Sequence, residues 1–288
     1  MAAGPQAALL PDGRRLHLNH GPIDLVIEAF GAEREVTRAY EQAVERFSDI
    51  LETLVAELPE LRRPVGDMPH VFAGPVARRM AAAVWWHRGV RVTPMAAVAG
   101  AVADEMLAAL TAGRRLDRAY VNDGGDIALY LAPGAGFEVG LAARPARAGL
   151  DGSFTVTAKM PLRGVATSGQ GGRSFSLGIA DAVTVLAADA AAADVAATLI
   201  ANAVDLDHPA IERRPARALD PDSDLGDLPV TVAVGALDEE AVMTALTGGE
   251  AAARSMLSAG LIFGAVLALN GQFRVVGDAL AHALPAAA

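Results

Sequence analysis

Two stretches that are typical of helices carry almost no polar surface, and they constrain the fold more than any other feature. The first, TPMAAVAGAVADEMLAALTAG at residues 93–113, opens with a Thr-Pro helix start and stops at Gly113. The second, AAAADVAATLIANAV at residues 190–204, follows Asp189, a residue type that suits an N-cap. A helix that is apolar all round has no face for water, so both should be buried and the first should be central.

Segments of strand character surround these helices. We predict extended segments around a turn at Gly21-Pro22 and a hairpin around Asn270-Gly271. The other predicted strands are residues 118–122, 126–131, 137–142, 154–158 and 180–187. The other predicted helices lie at about 33–58, 75–87 and 238–258, and residues 207–229 are predicted to be a Pro- and Asp-rich loop.

The arrangement of these elements favours one fold class. Strands joined by hairpins, with helices in separate blocks, predict an α+β fold with a mostly antiparallel sheet packed with helices. The strands and helices do not alternate as in a Rossmann fold, and no repeat of fixed period is present. We expect a single domain over residues 1–288.

Charge, cysteine content and hydropathy exclude several classes of protein. The net charge is −10 without a basic stripe, so no nucleic-acid partner is expected. The absence of Cys removes disulfides, thiolate metal sites and Cys nucleophiles. The longest apolar run, residues 261–269, is far shorter than the ~20 residues that span a bilayer. Because the first charges follow the N-terminal apolar patch rather than precede it, we expect a soluble, cytoplasmic protein with no membrane partner.

Three polar residues interrupt the second apolar helix at intervals of four. Asp194, Thr198 and Asn202 advance only about 40° per step, so they project from one face. A solvated face would carry Glu, Arg and Gln, as residues 33–47 do, whereas residues 190–204 contain no Arg, Lys or Glu. A buried Asp is costly unless a charge, a metal or hydrogen bonds compensate it. The spacing leaves two interpretations open, a hydrogen-bonded core Asp and a ligand-binding Asp.

The stretch VNDGGDIAL at residues 121–129 places two glycines between carboxylates at the junction of two strands. Gly124 and Gly125 permit a tight turn or the close approach of a ligand. On pattern alone the hairpin turn is the better interpretation, because Asp-Gly is a strong turn signal. Asp123 and Asp126 would then flank the turn.

A glycine-rich loop, RGVATSGQGGRSFSLG, occupies residues 163–178. It could form a nest of backbone N–H groups for a phosphate, built from Thr167, Ser168, Gly169, Gly171, Gly172 and Arg173. It is not a Walker loop, since no Gly-Lys-Ser/Thr ends it, and it is not GxGxxG, since Ser174 replaces the last glycine. The pattern alone is a weak indication of phosphate binding.

Other motifs indicate less. DPDSDLGD at residues 220–227 lacks the Gly and Glu that a calcium loop requires, so it is predicted to be a solvated loop. The six His residues show neither HExxH nor zinc spacing, and no GxSxG elbow exists. His20, which precedes the Gly-Pro turn, is interpreted as a turn histidine.

The order of the motifs resembles a known superfamily. VNDGGDIAL, GVATSG, a VTV-containing strand and ADVAAT are similar to the flavin-transferase superfamily typified by FAD:protein FMN transferases. Those proteins carry a Gly-Gly-Asp strand end, an Ala-Thr-Ser-Gly loop and an Ala-Asp-x-x-x-Thr helix start. HGPIDLVIEAFG, TPMAAVAGAVADE and TSGQGGRSFSLGIADAVTVLA resemble the neighbouring UPF0280 family over most of residues 15–205. The resemblance implies a T-fold-like, ApbE-like domain; if it has two lobes, they would meet at a site formed by 121–128, 164–174 and 190–202.

The resemblance also implies metal ligands. The superfamily's magnesium ligands fall on Asp194 and Thr198, with a backbone carbonyl near Ala166. Mg²⁺ takes oxygen ligands, keeps several waters and commonly bridges to substrate phosphates, which suits a carboxylate and a hydroxyl one helical turn apart. Asn202 is not a family ligand, and we expect it to hydrogen-bond nearby backbone.

A cofactor site and catalytic carboxylates are implied as well. The expected cofactor-binding residues are Gly124, Gly125, Thr167, Ser168, Gly169 and Arg173. Asp123 or Asp126 is expected to be the spare carboxylate for base chemistry. The expected cofactors are Mg²⁺ and FAD or another flavin nucleotide. The expected partner is a small-molecule nucleotide or heterocycle, and a homodimer is considered.

The chain departs from the transferase pattern in two places. The transferases have a Lys-Gly pair in the central helix, whereas here Ala99 precedes Gly100, so the cation is missing. They also carry a His-x-x-Asp-Pro segment before the VTV strand, and the linking stretch QGGRSFSLGIADA has neither that His nor that Pro. A site without both is expected to bind its ligand differently or to catalyse another reaction.

These observations leave three classes of function. The leading one is a magnesium-assisted site for a flavin nucleotide or a related phosphate-bearing heterocycle, active in flavin or nucleotidyl transfer or in diphosphate cleavage. The second is a non-catalytic binding module that kept the fold. The third is a role in pterin-linked one-carbon metabolism, which rests on analogy of fold alone.

Overall fold

The computed structural model describes residues 4–141, 150–172 and 174–280. In chain order its helices are α1 (Glu33–Phe47), α2 (Ile50–Leu61), α3 (Pro75–Trp85), α4 (Val98–Thr111), α5 (Ala190–Ala203), α6 (Ala216–Leu219) and α7 (Glu239–Ser258). Its strands are β1 (Gln6–Leu9), β2 (Leu16–His20), β3 (Ile23–Gly31), β4 (Leu116–Asp123), β5 (Asp126–Leu131), β6 (Gly136–Leu141), β7 (Gly152–Thr157), β8 (Gly164–Ser168), β9 (Ala182–Ala187), β10 (Ile211–Pro215), β11 (Pro229–Val234), β12 (Gly264–Leu269) and β13 (Gln272–Val276). Short 3₁₀ turns lie at Pro94–Ala97 and Asp278–Leu280.

The chain divides into two compact units. The first comprises Met1–Phe137, Val156–Ala166 and Ala188–Val195. The second comprises Glu138–Thr155, Thr167–Ala187 and Ala196–Ala288. The single ApbE-like domain expected over residues 1–288 stays a prediction.

The first unit is built on an antiparallel sheet in the order β1-β2-β3-β4-β5-β8. Paired residues of an antiparallel ladder share a face, and on one face Leu18, Leu25, Ile27 and Val121 have no exposed surface. Helix α1 contacts β2 and β3, and α4 contacts β4 and β5. Burial of apolar side chains between these helices and this face forms the core of the unit.

Helix α4 is central, as its sequence predicts. The residues that it buries are Gly100, Ala101, Val102, Ala103, Met106 and Leu110. Pro94–Thr111 is also the one helical stretch of the described residues that could cross a membrane by length and composition. The buried core helix of a globular protein meets the same criteria, and α4 contacts α1, α3, β4 and β5. Its apolar surface is therefore accounted for within this unit.

The second unit has its own antiparallel ladder, β9-β12-β13, against which α7 packs through β12 and β13. Every residue of β9 and β12 is buried, as expected for strands covered on both faces. The predicted hairpin at Asn270-Gly271 is confirmed, with φ of 49° and 77° at the two turn residues. The α+β class with mostly antiparallel strands is confirmed in both units.

Two predicted elements differ from the structure. The helix expected at 33–58 is two helices, because Ser48 and Asp49 interrupt it: the Ser48 hydroxyl and N–H both bond to the Glu45 carbonyl. Such residues compete with the helical backbone for hydrogen bonds. The loop expected at 207–229 contains β10 and α6, since β10 pairs with β11. That partner strand begins at Pro229, the last residue of the predicted loop, and the loop's composition gives no sign of the pairing.

Candidate functional site

Helix α4 crosses the N-terminal end of α5 with their backbones in contact. A Cβ built at Gly100 would lie 2.5 Å from the Ala190 carbonyl carbon and 2.7 Å from the Ala191 nitrogen. A Cβ at Gly164, where β8 begins, would overlap the carbonyl of Asp189. Only glycine fits at positions where backbones approach so closely. These two glycines therefore determine where the first turn of α5 lies.

Two carboxylates cap the first turn of α5. Asp104, on α4, accepts the N–H of Ala190 at 3.0 Å with one oxygen and the N–H of Ala191 at 2.9 Å with the other. Asp189 accepts the N–H of Ala192 at 2.8 Å, which confirms it as the N-cap. The first N–H groups of a helix have no partner within it. Here three of them are satisfied by side chains.

Asp194 makes the reciprocal contact to the first turn of α4. Its Oδ2 accepts the N–H of Gly100 at 3.0 Å, and its carboxylate also bonds to the N–H of Ala99. Asp194 is half-buried. The interpretation of Asp194 as a hydrogen-bonded Asp is therefore confirmed, and a carboxylate held in this way can still offer lone pairs to a cation.

The electrostatic surroundings of Asp194 disfavour its negative charge. Burial is the main cause that raises its pKa to about 7, and the carboxylates of Asp123 and Asp104 add to the rise. The N–H groups of α4 act in the opposite direction. Burial also raises the pKa of Asp104 to about 6, to which Asp189 contributes. A bound cation would reverse this balance, because an opposite charge nearby favours the ionised carboxylate.

The turn between β4 and β5 is the tight hairpin that the sequence predicts. Gly124 and Gly125 have φ of 65° and 117°, and Asp123 pairs with Asp126 across the ladder. Asn122 Oδ1 accepts the N–H of Gly125 at 2.8 Å. Asp123 is only 4% exposed, whereas Asp126 is half-buried. The expected roles of these residues in ligand binding and catalysis stay predictions.

The glycine-rich loop uses part of its backbone internally. Gln170 donates its N–H to the Ala180 carbonyl at 2.9 Å, and Gly172 donates to the Gly169 carbonyl at 3.1 Å. A Cβ at Gly169 would lie 2.9 Å from the carbonyl carbon of Asp181, so packing alone requires this glycine. A phosphate nest here would have to use other N–H groups of the loop.

The remaining predicted site residues are placed as follows. Thr167 Oγ1 lies 2.9 Å from Thr184 Oγ1, and Ser168 is half-buried. Ala166 is buried in β8, and Thr198 is half-buried one turn after Asp194 on α5. Arg173 lies outside the described residues. Their assignment to cofactor or metal stays a prediction.

Within the described part of the chain, no group of three or more His, Asp or Glu side chains is arranged to hold a metal ion. The expected magnesium set does not require one, since it consists of the Asp194 carboxylate, the Thr198 hydroxyl and a carbonyl near Ala166. Mg²⁺ commonly completes its shell with water and substrate phosphates. The set therefore predicts a site that binds Mg²⁺ weakly on its own and more tightly together with a phosphate-bearing ligand.

Two other features are separate from this site. An open cavity of about 630 Å³ lies at the break between α1 and α2, and its Arg46 is paired with Asp49 and Glu105. His20 ends β2 beside the Gly-Pro turn, as predicted, with 5% of its surface exposed and its ring edge-on to Phe47. Neither feature contains a residue of the predicted site.

Asn202 behaves as the sequence predicts. Its Oδ1 accepts the N–H of Leu177 at 3.0 Å in the second unit. A Cβ at Gly178 would lie 2.8 Å from the Val204 carbonyl oxygen, so the end of the glycine-rich loop lies directly against the end of α5. Asn202 therefore supports the end of the glycine-rich loop.

We expect Asn202→Leu to lower the free energy of unfolding by about 1–2 kcal/mol, because the N–H of Leu177 loses its acceptor. Asn202→Asp keeps an oxygen at the same place and should cost less. Urea unfolding of both variants measures the difference. Equal losses for Leu and Asp would show that the acceptor atom is not what stabilises the loop.

Asp104 is the residue that the motifs did not single out. Its signal was similar to that of Asp194, a carboxylate within a nearly apolar helix, although Glu105 stands beside it. It lies ten residues after the Thr-Pro start rather than in a recognised motif, and its partners are 86 and 87 positions away in the chain.

The fold is that of ApbE proteins. The crystal structure of the ApbE protein from Thermotoga maritima matches with a TM-score of 0.52 at 12% identity, over 95% of this chain and 97% of that one. At this identity the likeness shows the fold alone. The ApbE-like architecture expected from the sequence is thereby confirmed.

Sequence comparison gives the family. The AbpE bacteria family model matches residues 7–275, so the chain belongs to this family. The UPF0280 protein of Methanospirillum hungatei is 34% identical over 149 residues, which are 47% of this chain and 54% of the relative. The UPF0280 protein of Methanothermobacter thermautotrophicus is 38% identical over 136 residues, 47% of this chain and 51% of the relative. The chain spans about half the length of these relatives, and the predicted UPF0280 likeness is confirmed.

Proposed function

We propose that this protein is a magnesium-dependent enzyme that binds a flavin nucleotide, or a related phosphate-bearing heterocycle, beside Asp194. Its reaction would be cleavage of the diphosphate or transfer of one of its halves. The observation that carries the proposal is the carboxylate of Asp194, which has backbone N–H partners, a raised pKa and the carboxylates of Asp123 and Asp104 nearby. Such surroundings favour a cation.

The donors present fit a magnesium ion. Asp194 supplies a carboxylate that a backbone N–H already orients, as is usual for metal-binding carboxylates. Thr198 and the carbonyl near Ala166 would add a hydroxyl and a carbonyl oxygen, both hard donors. When bound, the ion would neutralise the substrate phosphates and stabilise the charge that develops on them.

The chain's own carboxylates would handle the proton. Asp123 or Asp126 would take it from the attacking water or hydroxyl group. The negative charge of Asp123 contributes to the raised pKa of Asp194. Asp126 is the more exposed of the two carboxylates. Gly124 and Gly125 leave the backbone of the turn open beside them, and a Cβ at Gly125 would contact nothing within 4 Å.

The reaction is tested with FAD. Cleavage of the FAD diphosphate releases AMP, whether the flavin mononucleotide half goes to water or to another hydroxyl. We expect AMP release that requires Mg²⁺, stops in EDTA and is lost in Asp194→Asn but kept in Asp189→Asn, whose side chain caps the exposed end of the same helix. Saturable FAD binding without AMP would indicate the non-catalytic module, and neither binding nor cleavage of FAD or ADP would contradict the proposal.

A separate expectation concerns the missing cation at Ala99. Without a lysine before Gly100, the site lacks a fixed positive charge for a phosphate, so flavin should dissociate during purification. The purified protein should be colourless, and Ala99→Lys should raise its affinity for FAD. A yellow preparation that keeps a flavin absorption band after gel filtration would show this expectation to be wrong.

The partner and location follow from the same proposal. We propose a cytoplasmic location and a small-molecule partner rather than nucleic acid, which a net charge of −10 would repel. Light scattering of the purified protein tests whether it forms a homodimer.

A further inference from the structure

Helices α4 and α5 are clamped together at two points. At one point Asp104 holds the N–H groups of Ala190 and Ala191, and at the other Asp194 holds the N–H of Gly100. On α5 the two contacts are one turn apart, at residues 190–191 and at residue 194. Between them the backbones of Gly100 and Ala190 approach directly.

We infer that Asp104 is a positioning residue for the Asp194 site: it fixes the rotation of α5 about its axis and so the direction of the Asp194 carboxylate. The inference rests on the proposed function. One contact would let α5 pivot, whereas two contacts one turn apart define its orientation. Asp104 supplies the second contact through both of its oxygens.

The geometry makes metal binding sensitive to this rotation. An atom roughly 5–6 Å from the axis of a helix moves about 1 Å when the helix rotates by roughly 10°. Metal–ligand distances tolerate only about 0.2 Å. A small rotation of α5 would therefore move the Asp194 carboxylate out of reach of the metal ion without unfolding the helix.

Asp104 has a second effect, because it fills the N–H groups that a phosphate would otherwise use. The start of a helix attracts anions through its free N–H groups and its dipole. Here the Asp104 carboxylate already accepts the N–H groups of Ala190 and Ala191. A substrate phosphate would therefore have to bind through a cation held by Asp194 rather than through these N–H groups.

The matched variants are Asp104→Ala and Asp189→Ala, because both remove a cap from the first turn of α5 but only Asp104 reaches it from α4. The probe is Mn²⁺ alone, titrated by electron paramagnetic resonance. We expect Asp104→Ala to lose at least about tenfold in Mn²⁺ affinity, as is usual for residues that orient metal ligands. Asp189→Ala should lose stability and keep its Mn²⁺ affinity.

Hydrogen exchange gives a readout that does not depend on metal. Amides 190–194 should exchange faster in Asp104→Ala than in Asp189→Ala, and formate, which can occupy the vacated carboxylate position, should restore both protection and Mn²⁺ affinity. Asp104→Asn, which keeps the shape and one acceptor, should show the same changes in smaller degree and serves if the alanine variant does not fold.

The outcomes separate the inference from the proposed function. Unchanged Mn²⁺ affinity in Asp104→Ala, or exchange no faster than in Asp189→Ala, would overturn the positioning role. A wild-type protein that binds no Mn²⁺, with or without nucleotide, would overturn the proposed function. Exchange and formate rescue would then still decide whether Asp104 fixes α5.

Discussion

Gly100→Ala is expected to destabilise the protein by about 3 kcal/mol, although alanine is the better helix former by about 1 kcal/mol. The new Cβ would lie 2.7 Å from the Ala191 nitrogen and nearer still to the Ala190 carbonyl, so the two helices must separate. Overpacking of this kind costs about 1–3 kcal/mol or more. Separation also lengthens the capping hydrogen bonds made by Asp104 and Asp194, and each cap contributes about 1 kcal/mol. Urea unfolding measures the total change in the free energy of unfolding.

The control for this variant is Gly89→Ala. A Cβ at Gly89 would have no neighbour within 4 Å, and its backbone is not in the left-handed region. Its effect should stay within about 0.5 kcal/mol of wild type. If Gly100→Ala were as stable as Gly89→Ala, α4 and α5 would not be in backbone contact. The Gly100→Ala variant should also lose Mn²⁺ affinity, because Asp194 moves with α5.

Features encoded by neighbouring residues could be predicted from the sequence. Asp189 caps the helix that follows it immediately, and Asn270-Gly271 forms a turn because both residues accept positive φ. The apolar surface of α4 predicted its burial without reference to any partner. In each case the signal lies within a single helix or hairpin.

Features that depend on distant partners could not be predicted in this way. The sequence indicates that the Asp194 carboxylate has a partner, but it does not identify that partner. The N–H of Gly100, which the carboxylate accepts, lies 94 positions away in the chain. The same holds for Asp104 and for the pairing of Arg214 in β10 with Val230. Gly100 appeared only as the neighbour of a missing lysine, whereas the structure gives it a packing role of its own. A single sequence contains no pairing information of this kind.

The site itself was predictable in part for the same reason. The carboxylates and glycines at residues 123–126 were identified from local pattern, and the hairpin interpretation is confirmed. The electrostatic link between Asp123 and Asp194 arises only because β4 and the start of α5, up to Val195, belong to one folded unit. The physical argument for a cation site at Asp194 rests on this link and not on the spacing of polar residues along α5.

Asp194→Asn is expected to raise stability in EDTA at pH 8 and to raise it by much less at pH 5. The raised pKa, about 7, means that the folded protein holds this proton to a higher pH than the unfolded chain does. The ionised group therefore lowers stability progressively as the pH rises from about 4 to about 7. Asn removes that penalty, which we expect to be at least about 1 kcal/mol, and its amide oxygen can still accept the N–H of Gly100.

The same variant should remove the response to metal. With Mg²⁺ and FAD or ADP present, the wild type should gain melting temperature, since a ligand at about 100 times its Kd stabilises the native state by about 2.7 kcal/mol. Asp194→Asn and Thr198→Val should gain nothing, whereas Asp189→Asn should respond like the wild type. At pH 8, Mg²⁺ should thus restore the stability that ionisation of Asp194 removes, because the cation stabilises the ionised carboxylate. A large loss of stability for Asp194→Asn in EDTA, or equal shifts with Mg²⁺ in variant and wild type, would reduce Asp194 to a helix cap.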